Sequence, residues 1–178
     1  MGNKKKYKLS FTGVSLALSE SVIVAEIYLQ IRDWKAVEQK VKRENLIKAR
    51  TKSSVQRVYQ EIWPRLSLLT DEVLEVLVES TPQEQKYILW YAICQRYNYI
   101  REFAVEVVHE KYLRLDYELT DFDYDAFYNR KADWHPELDQ LKESTRDKIK
   151  PRIFWMLREA GLISDDNMII PANLSGRV

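Results

Sequence analysis

Residues 81–96 read TPQEQKYILWYAICQR, and this stretch sets the fold class. Thr81 suits a helix N-cap, Pro82 fits the first helical position, where its missing N–H is no loss, and Glu84 supplies the acid of a capping box. From Tyr87 to Ile93 the residues are apolar almost all the way round, the mark of a central helix enclosed by others. The longest apolar run, Tyr87 to Cys94, is eight residues, whereas a membrane-spanning helix needs about twenty. The reading is a core helix and a chain with no transmembrane segment.

Helical periodicity extends outward in both directions. Upstream, Ser19 to Ile31 carries Ile23, Ile27 and Ile31 on one stripe. Asp33 caps a helix from Trp34 whose inward stripe is Trp34, Val37 and Val41. A third helix places Val55, Val58, Ile62, Leu66 and Leu69 in phase, and Pro64 is expected to kink or stop it near Trp63. Thr70 caps a short helix through Val78. Downstream, Ile100 to Leu113 offers Phe103, Ala104, Val107 and Val108, helices start at Thr120 and Pro136, and Thr145 is expected to cap a last helix that Gly161 stops. Leu162–Ile163 and Met168–Ile170 flank Ser164 to Asn167 and read as two short strands around a turn. The predicted fold is all-α: a multi-helix bundle with a basic, helix-turn-helix-like part over 1–69, a larger helical part over 70–178, and a short C-terminal β-hairpin.

The chain has 178 residues, 46% of them hydrophobic and 31% charged, with four Gly and five Pro, so disordered and low-complexity classes are excluded. Cys94 is its single cysteine. No intrachain disulfide can form, which suits a reducing compartment, and the expected location is cytoplasmic. The lysines near the start imitate a signal peptide, but Ser10, Thr12, Gly13 and Ser15 interrupt the apolar region. Lys6 stands where a myristoylation motif from Gly2 wants a hydroxyl.

Charge is unevenly distributed. Residues 1–60 hold thirteen Lys/Arg against five Asp/Glu, a net +8, and residues 61–178 hold fifteen against twenty-two, a net −7. A basic end of this kind attracts phosphate backbones whatever the total charge. Within it the third helix opens Ala49-Arg50-Thr51-Lys52-Ser53-Ser54, and hydroxyls and cations at a helix start suit a phosphate. At about 100° per residue, Ser53, Gln56, Arg57 and Gln60 fall opposite the apolar stripe. Arg and Gln are side chains that bond base edges in a major groove. Candidate DNA-contacting residues are Lys48, Arg50, Thr51, Lys52, Ser53, Ser54, Gln56 and Arg57. Lys4, Lys5, Lys6 and Lys8 add a basic arm. A second basic group, Lys142, Arg146, Lys148, Lys150, Arg152 and Arg158, is interleaved with Glu143, Asp147 and Glu159 and reads as a mostly solvated face.

Catalytic and metal readings find no support. His109 and His135 share no ligand spacing with Cys94, which is expected to be a core thiol. Asp121, Asp123 and Asp125 imitate a calcium loop, but Ala126 and Ala132 occupy the positions needing Gly and Glu. No glycine pattern cradles a phosphate. No cofactor and no small-molecule substrate is expected, and the chain is read as non-enzymatic.

Several strings also resemble a known family. Tyr7-Lys8-Leu9-Ser10-Phe11-Thr12-Gly13, Ala49 to Ser54, Ile100-Arg101-Glu102-Phe103-Ala104-Val105-Glu106, Phe127-Tyr128-Asn129-Arg130-Lys131-Ala132 and Leu157-Arg158-Glu159-Ala160-Gly161-Leu162 look like BrxA, the small component of bacterial BREX phage-defence systems. The resemblance covers the chain from about residue 7. It implies an all-helical protein similar in fold to the antitermination factor NusB, double-stranded DNA as ligand, and other BREX proteins as partners. Two alternatives stay open: an adaptor that uses the acidic stretch Asp116 to Asp125, and an RNA-binding protein.

Overall fold

The structure is a computed structural model that describes residues 6–11, 13 and 15–176. Its elements are helices α1 (Leu18–Ile31), α2 (Trp34–Glu44), α3 (Lys52–Leu66), α4 (Asp71–Glu79), α5 (Pro82–Arg96), α6 (Asn98–Phe103), a π-helical segment (Ala104–His109), α7 (Glu110–Leu113), α8 (Asp121–Ala132), α9 (Pro136–Asp139) and α10 (Glu143–Glu159). The chain is all-α and divides into two compact units. One comprises Leu16–Arg96 and the residues from Asn173, and the other comprises Tyr97–Ala172 with the described residues up to Ser15.

In the first unit α1 packs against α2, α3, α4 and α5. So many neighbours bury a face wider than a single stripe. Ser21, Val24, Ala25 and Ile27 are buried, and Ile23 and Ile31 stay partly exposed. Caps fall where the sequence puts them: Asp33 accepts from Lys35 N–H at 2.8 Å, and Thr70 Oγ1 from Val73 N–H at 3.4 Å. Glu84 takes the Thr81 backbone N–H at 3.0 Å, the reciprocal bond of a capping box. The residue 69/70 boundary falls between α3 and α4, inside this unit. Helix α5 also lies here, while Asn98–Leu113 belongs to the other unit.

Pro64 does not stop α3, which continues to Leu66. Only two residues follow it, buried Ile62 and Leu66 hold the final turn in the core, and Gln60, whose carbonyl loses a donor, is exposed to solvent. Pro151 also lies inside a helix, α10, which runs on to Glu159.

The second unit has an aromatic core. Tyr99 and Phe103 each set an edge against Phe127 with ring centroids 5.2 Å apart, and the Tyr99 hydroxyl donates to Tyr124 Oη at 3.1 Å. Thr120 and Asp123 form a full capping box at the start of α8. Helix α10 begins at Glu143 with Lys142 as N-cap, earlier than the expected Thr145 start, because the Thr145 N–H is already turned onto the Lys142 carbonyl at 2.8 Å.

The expected C-terminal β-hairpin is not formed. Among the described residues the segment makes two isolated antiparallel bridges, Ile163 with Ile169 and Glu118 with Met168. Its backbone divides its bonds between two partners: Ile169 N–H donates to Tyr117 O at 2.7 Å, and Ile170 N–H to Leu162 O at 2.9 Å. Pro171 then lacks the N–H that would extend either pairing.

Candidate nucleic-acid interface

Residues 34–60 form α2, a connection and most of α3, and they hold eight Lys/Arg against Glu38 and Glu44 alone. Val37 and Val41 on α2 are buried with Val55, Tyr59 and Ile62 on α3. Tyr59 fixes the crossing, its hydroxyl donating to the Trp34 carbonyl at 2.7 Å while the Trp34 ring stacks on Tyr28 at 4.0 Å.

The connection is ordered despite its length. Asn45 ends α2 in the left-handed region, and its side chain both donates to Ala49 O and accepts from Ala49 N–H, each at 3.0 Å. Lys48 also takes a positive φ of 50°. Ile47 is buried, so the loop is pinned from beneath and its cations point away from the core.

At the start of α3, Thr51 Oγ1 accepts from Ser54 N–H at 3.1 Å and lies 3.0 Å and 2.8 Å from the Ser53 and Ser54 hydroxyls. Four of the predicted residues here, Arg50, Thr51, Lys52 and Ser53, are exposed, with Ser54 half-buried beside them. Lys48 and Arg57 are exposed as well. Among the described residues, Lys48, Arg50, Lys52 and Arg57 hold no salt bridge, and neither do Lys35 and Lys40 of α2. These two α2 lysines belong to the same surplus of charge that the sequence displays.

Two features were not visible in the sequence. Glu38 of α2 reaches the outer face of α3, accepting from Gln56 Nε2 at 3.2 Å and Gln60 Nε2 at 3.4 Å, and pairs with Lys42 at 2.6 Å. The Lys42 bond leads in holding its carboxyl below the usual range, with help from Gln56 and Gln60, so the acid stays ionised. Glu61, at the edge of the same face, is pushed up by burial and drawn back by Arg65, Arg96 and Arg57.

The basic arm is the second difference. Lys4 and Lys5 lie outside the described residues. Lys6 and Lys8 are exposed but belong to the other unit, where the chain between them is anchored. Tyr7 is buried, stacks on His135 at 3.9 Å, donates its backbone N–H to Glu137 at 2.8 Å and its hydroxyl to Glu102 at 2.5 Å. Phe11 is fully buried.

The second unit also contains a polar groove of about 520 Å³ beside Glu102, Glu106, Arg130, Lys131 and Trp134. Its charges are mutually engaged: Lys131 lies 2.5 Å from Glu102 and 2.6 Å from Glu106, and Arg130 lies 3.0 Å from Glu106. Burial would raise the Glu102 carboxyl, but Lys131 and Tyr7 overcome it and hold it low. Much of the α10 basic group is likewise occupied. Arg146 covers Tyr128 and Arg152 covers Trp155, each at 4.5 Å, and Lys150 pairs with Asp121 at 3.2 Å. Among the described residues no three His, Cys, Asp or Glu converge as metal ligands, and no helix is long and apolar enough to cross a membrane.

A sequence model of the BrxA family matches residues 5–178. The chain is 23% identical over 161 residues to the BREX protein BrxA of Escherichia coli O9:H4 (strain HS), covering 90% of this chain and 76% of that protein. It is 26% identical over 129 residues to the BREX protein BrxA of Bacillus cereus (strain H3081.97), covering 72% of this chain and 64% of that one. A crystal structure of an uncharacterized protein from Magnetospirillum magneticum shares the fold, with a TM-score of 0.80 at 21% identity over 97% of this chain and 90% of that one.

Proposed function

The chain belongs to the BrxA family, and from that premise we propose that it is a non-enzymatic BREX component that binds double-stranded DNA in anti-phage defence. One observation carries the reading: residues 34–60 present Lys48, Arg50, Lys52 and Arg57 at and beside the start of α3, exposed and without salt bridges among the described residues. The first backbone amides of α3 and its positive dipole end add to the attraction for a phosphate. Lys and Arg release counterions when they neutralise the backbone, so affinity falls steeply with salt.

Base reading is secondary in this scheme. Gln56 and Gln60 already serve Glu38. Either amide must give up that bond to reach a base edge, and the ionised Glu38 repels the phosphates on each side. Binding is therefore dominated by backbone contacts and tolerant of sequence.

The test is a mobility assay in which labelled duplex DNA competes with unlabelled duplexes of scrambled sequence and with single-stranded RNA. Scrambled duplex should displace the label nearly as well as the parent sequence, and RNA poorly. Displacement by RNA in preference to duplex would overturn the reading.

A further inference from the structure

The bridged segments that replace the hairpin present an apolar surface to solvent. The bonds Leu119 N–H to Asn167 O, at 3.0 Å, and Ile169 N–H to Tyr117 O bracket the Glu118–Met168 bridge, so these two side chains lie side by side on one face. Alternation puts Leu119 and Ile169 on the opposite face, and both are buried. The Ser164 and Ile170 bonds on the far side of Met168 bring Leu162 across from Ile170. Met168 and Ile170 are 42% and 41% exposed on this outer face.

Helix α7 ends with Asp116 N–H donating to Lys111 O at 3.0 Å, and Leu115 sits before it at φ 61°, a position that favours glycine. A leucine there carries a conformational cost with little burial to offset it, since the side chain is 75% exposed. The surroundings of Met168 are acidic. Glu118 on the same face, and Asp165 and Asp166 at the tip of the loop, are exposed and hold no salt bridge among the described residues.

We propose that the face formed by Met168 and Ile170 docks a polypeptide segment of another BREX protein in which large apolar side chains are flanked by Lys or Arg. Apolar side chains of the segment cover these two residues, and its cations meet Glu118, Asp165 and Asp166. Charge complementarity sets the partner's chemistry. A nucleic acid is repelled by this rim, and a second copy docking through the same face would set acid against acid. The choice of a BREX protein rests on the family reading above.

The experiment probes overlapping peptides that cover the other proteins of the same BREX locus with the labelled full chain. Peptides retained should carry apolar residues beside Lys or Arg, and a chain with Met168→Ser and Ile170→Ser should bind them at least about tenfold more weakly. Glu118→Lys should weaken binding in a salt-dependent way. Thermal unfolding of each variant checks the fold, and duplex DNA binding measured in parallel should be unchanged by the serine variant, which separates failure of this proposal from failure of the DNA reading. No retained peptide, retention of acidic peptides, or equal binding by the serine variant would overturn the proposal. So would a self-associated parent that the serine variant converts to monomer.

Discussion

The Gln56 amide of α3 donates to the Glu38 carboxylate of α2 at 3.2 Å, across the face on which the cations of α3 are displayed. One acid thereby engages both glutamines of that face, since Gln60 reaches it at 3.4 Å, and is itself balanced by Lys42. In the proposed duplex complex, a carboxylate among these cations would restrain binding and keep the amides from reading bases.

Glu38→Gln should therefore tighten duplex binding about threefold to tenfold at low salt, since one charge in water-like surroundings is worth about 1 kcal/mol. Fluorescence anisotropy with a short duplex measures it. Affinity that stays the same or falls would remove Glu38 from the interface.

Tyr7→Phe deletes only the hydroxyl that donates to Glu102, and Glu102 keeps Lys131. The expected cost is about 1–2 kcal/mol, read as a lower urea midpoint. Tyr7→Ala also removes the stack on His135 and should cost more, about 3 kcal/mol. An unchanged midpoint for Tyr7→Ala would show that the N-terminal segment does not support the second unit.

Stability should fall in acid. Burial opposes ionisation of Glu102, Asp123 and Glu137, but bonds from Lys131 and Tyr7 to the first, from Thr120 and Lys111 to the second, and from the Tyr7 N–H to the third hold all three carboxyls low. Each binds its proton less readily folded than unfolded. Their contribution is complete above the unfolded carboxylate range of about 4 and is lost as pH drops through the lower folded values. Melting temperature followed from neutral pH downward should hold level and then decline below about pH 4.5. Asp123→Asn should flatten part of that decline, and a profile equally steep in that variant would contradict the assignment.

Leu115→Gly should leave the protein no less stable, and up to about 1 kcal/mol more stable, because glycine relieves the positive φ at the end of α7. A clear loss in a urea titration would mean that Leu115 contributes packing that its exposure does not suggest.

What the sequence revealed and what it hid divide along the range of the interactions. The caps at Asp33, Thr70 and Thr81 are bonds to residues two or three positions on, so residue type and spacing suffice to place them. The cations from Lys48 to Arg57 share one short loop and helix start, and burial of Ile47 and Val55 fixes which way they face. The Glu38 contact joins residues eighteen apart through the crossing of two helices. The Tyr7 contacts with Glu102 and Glu137 span 95 and 130 positions, and no local pattern encodes them. The C-terminal segment does carry strand-like residues, but the connection at Tyr117 to Leu119 competes for its backbone.

Duplex affinity measured across a salt series, for the parent and for a chain with Arg50, Lys52 and Arg57 all changed to Ala, tests the DNA interface most directly. The parent should lose affinity linearly in log–log form, and the triple variant should bind more weakly with a slope shallower by about two to three, near 0.9 for each phosphate contact removed. Equal affinity and equal slope for the two chains would contradict a duplex held at the start of α3.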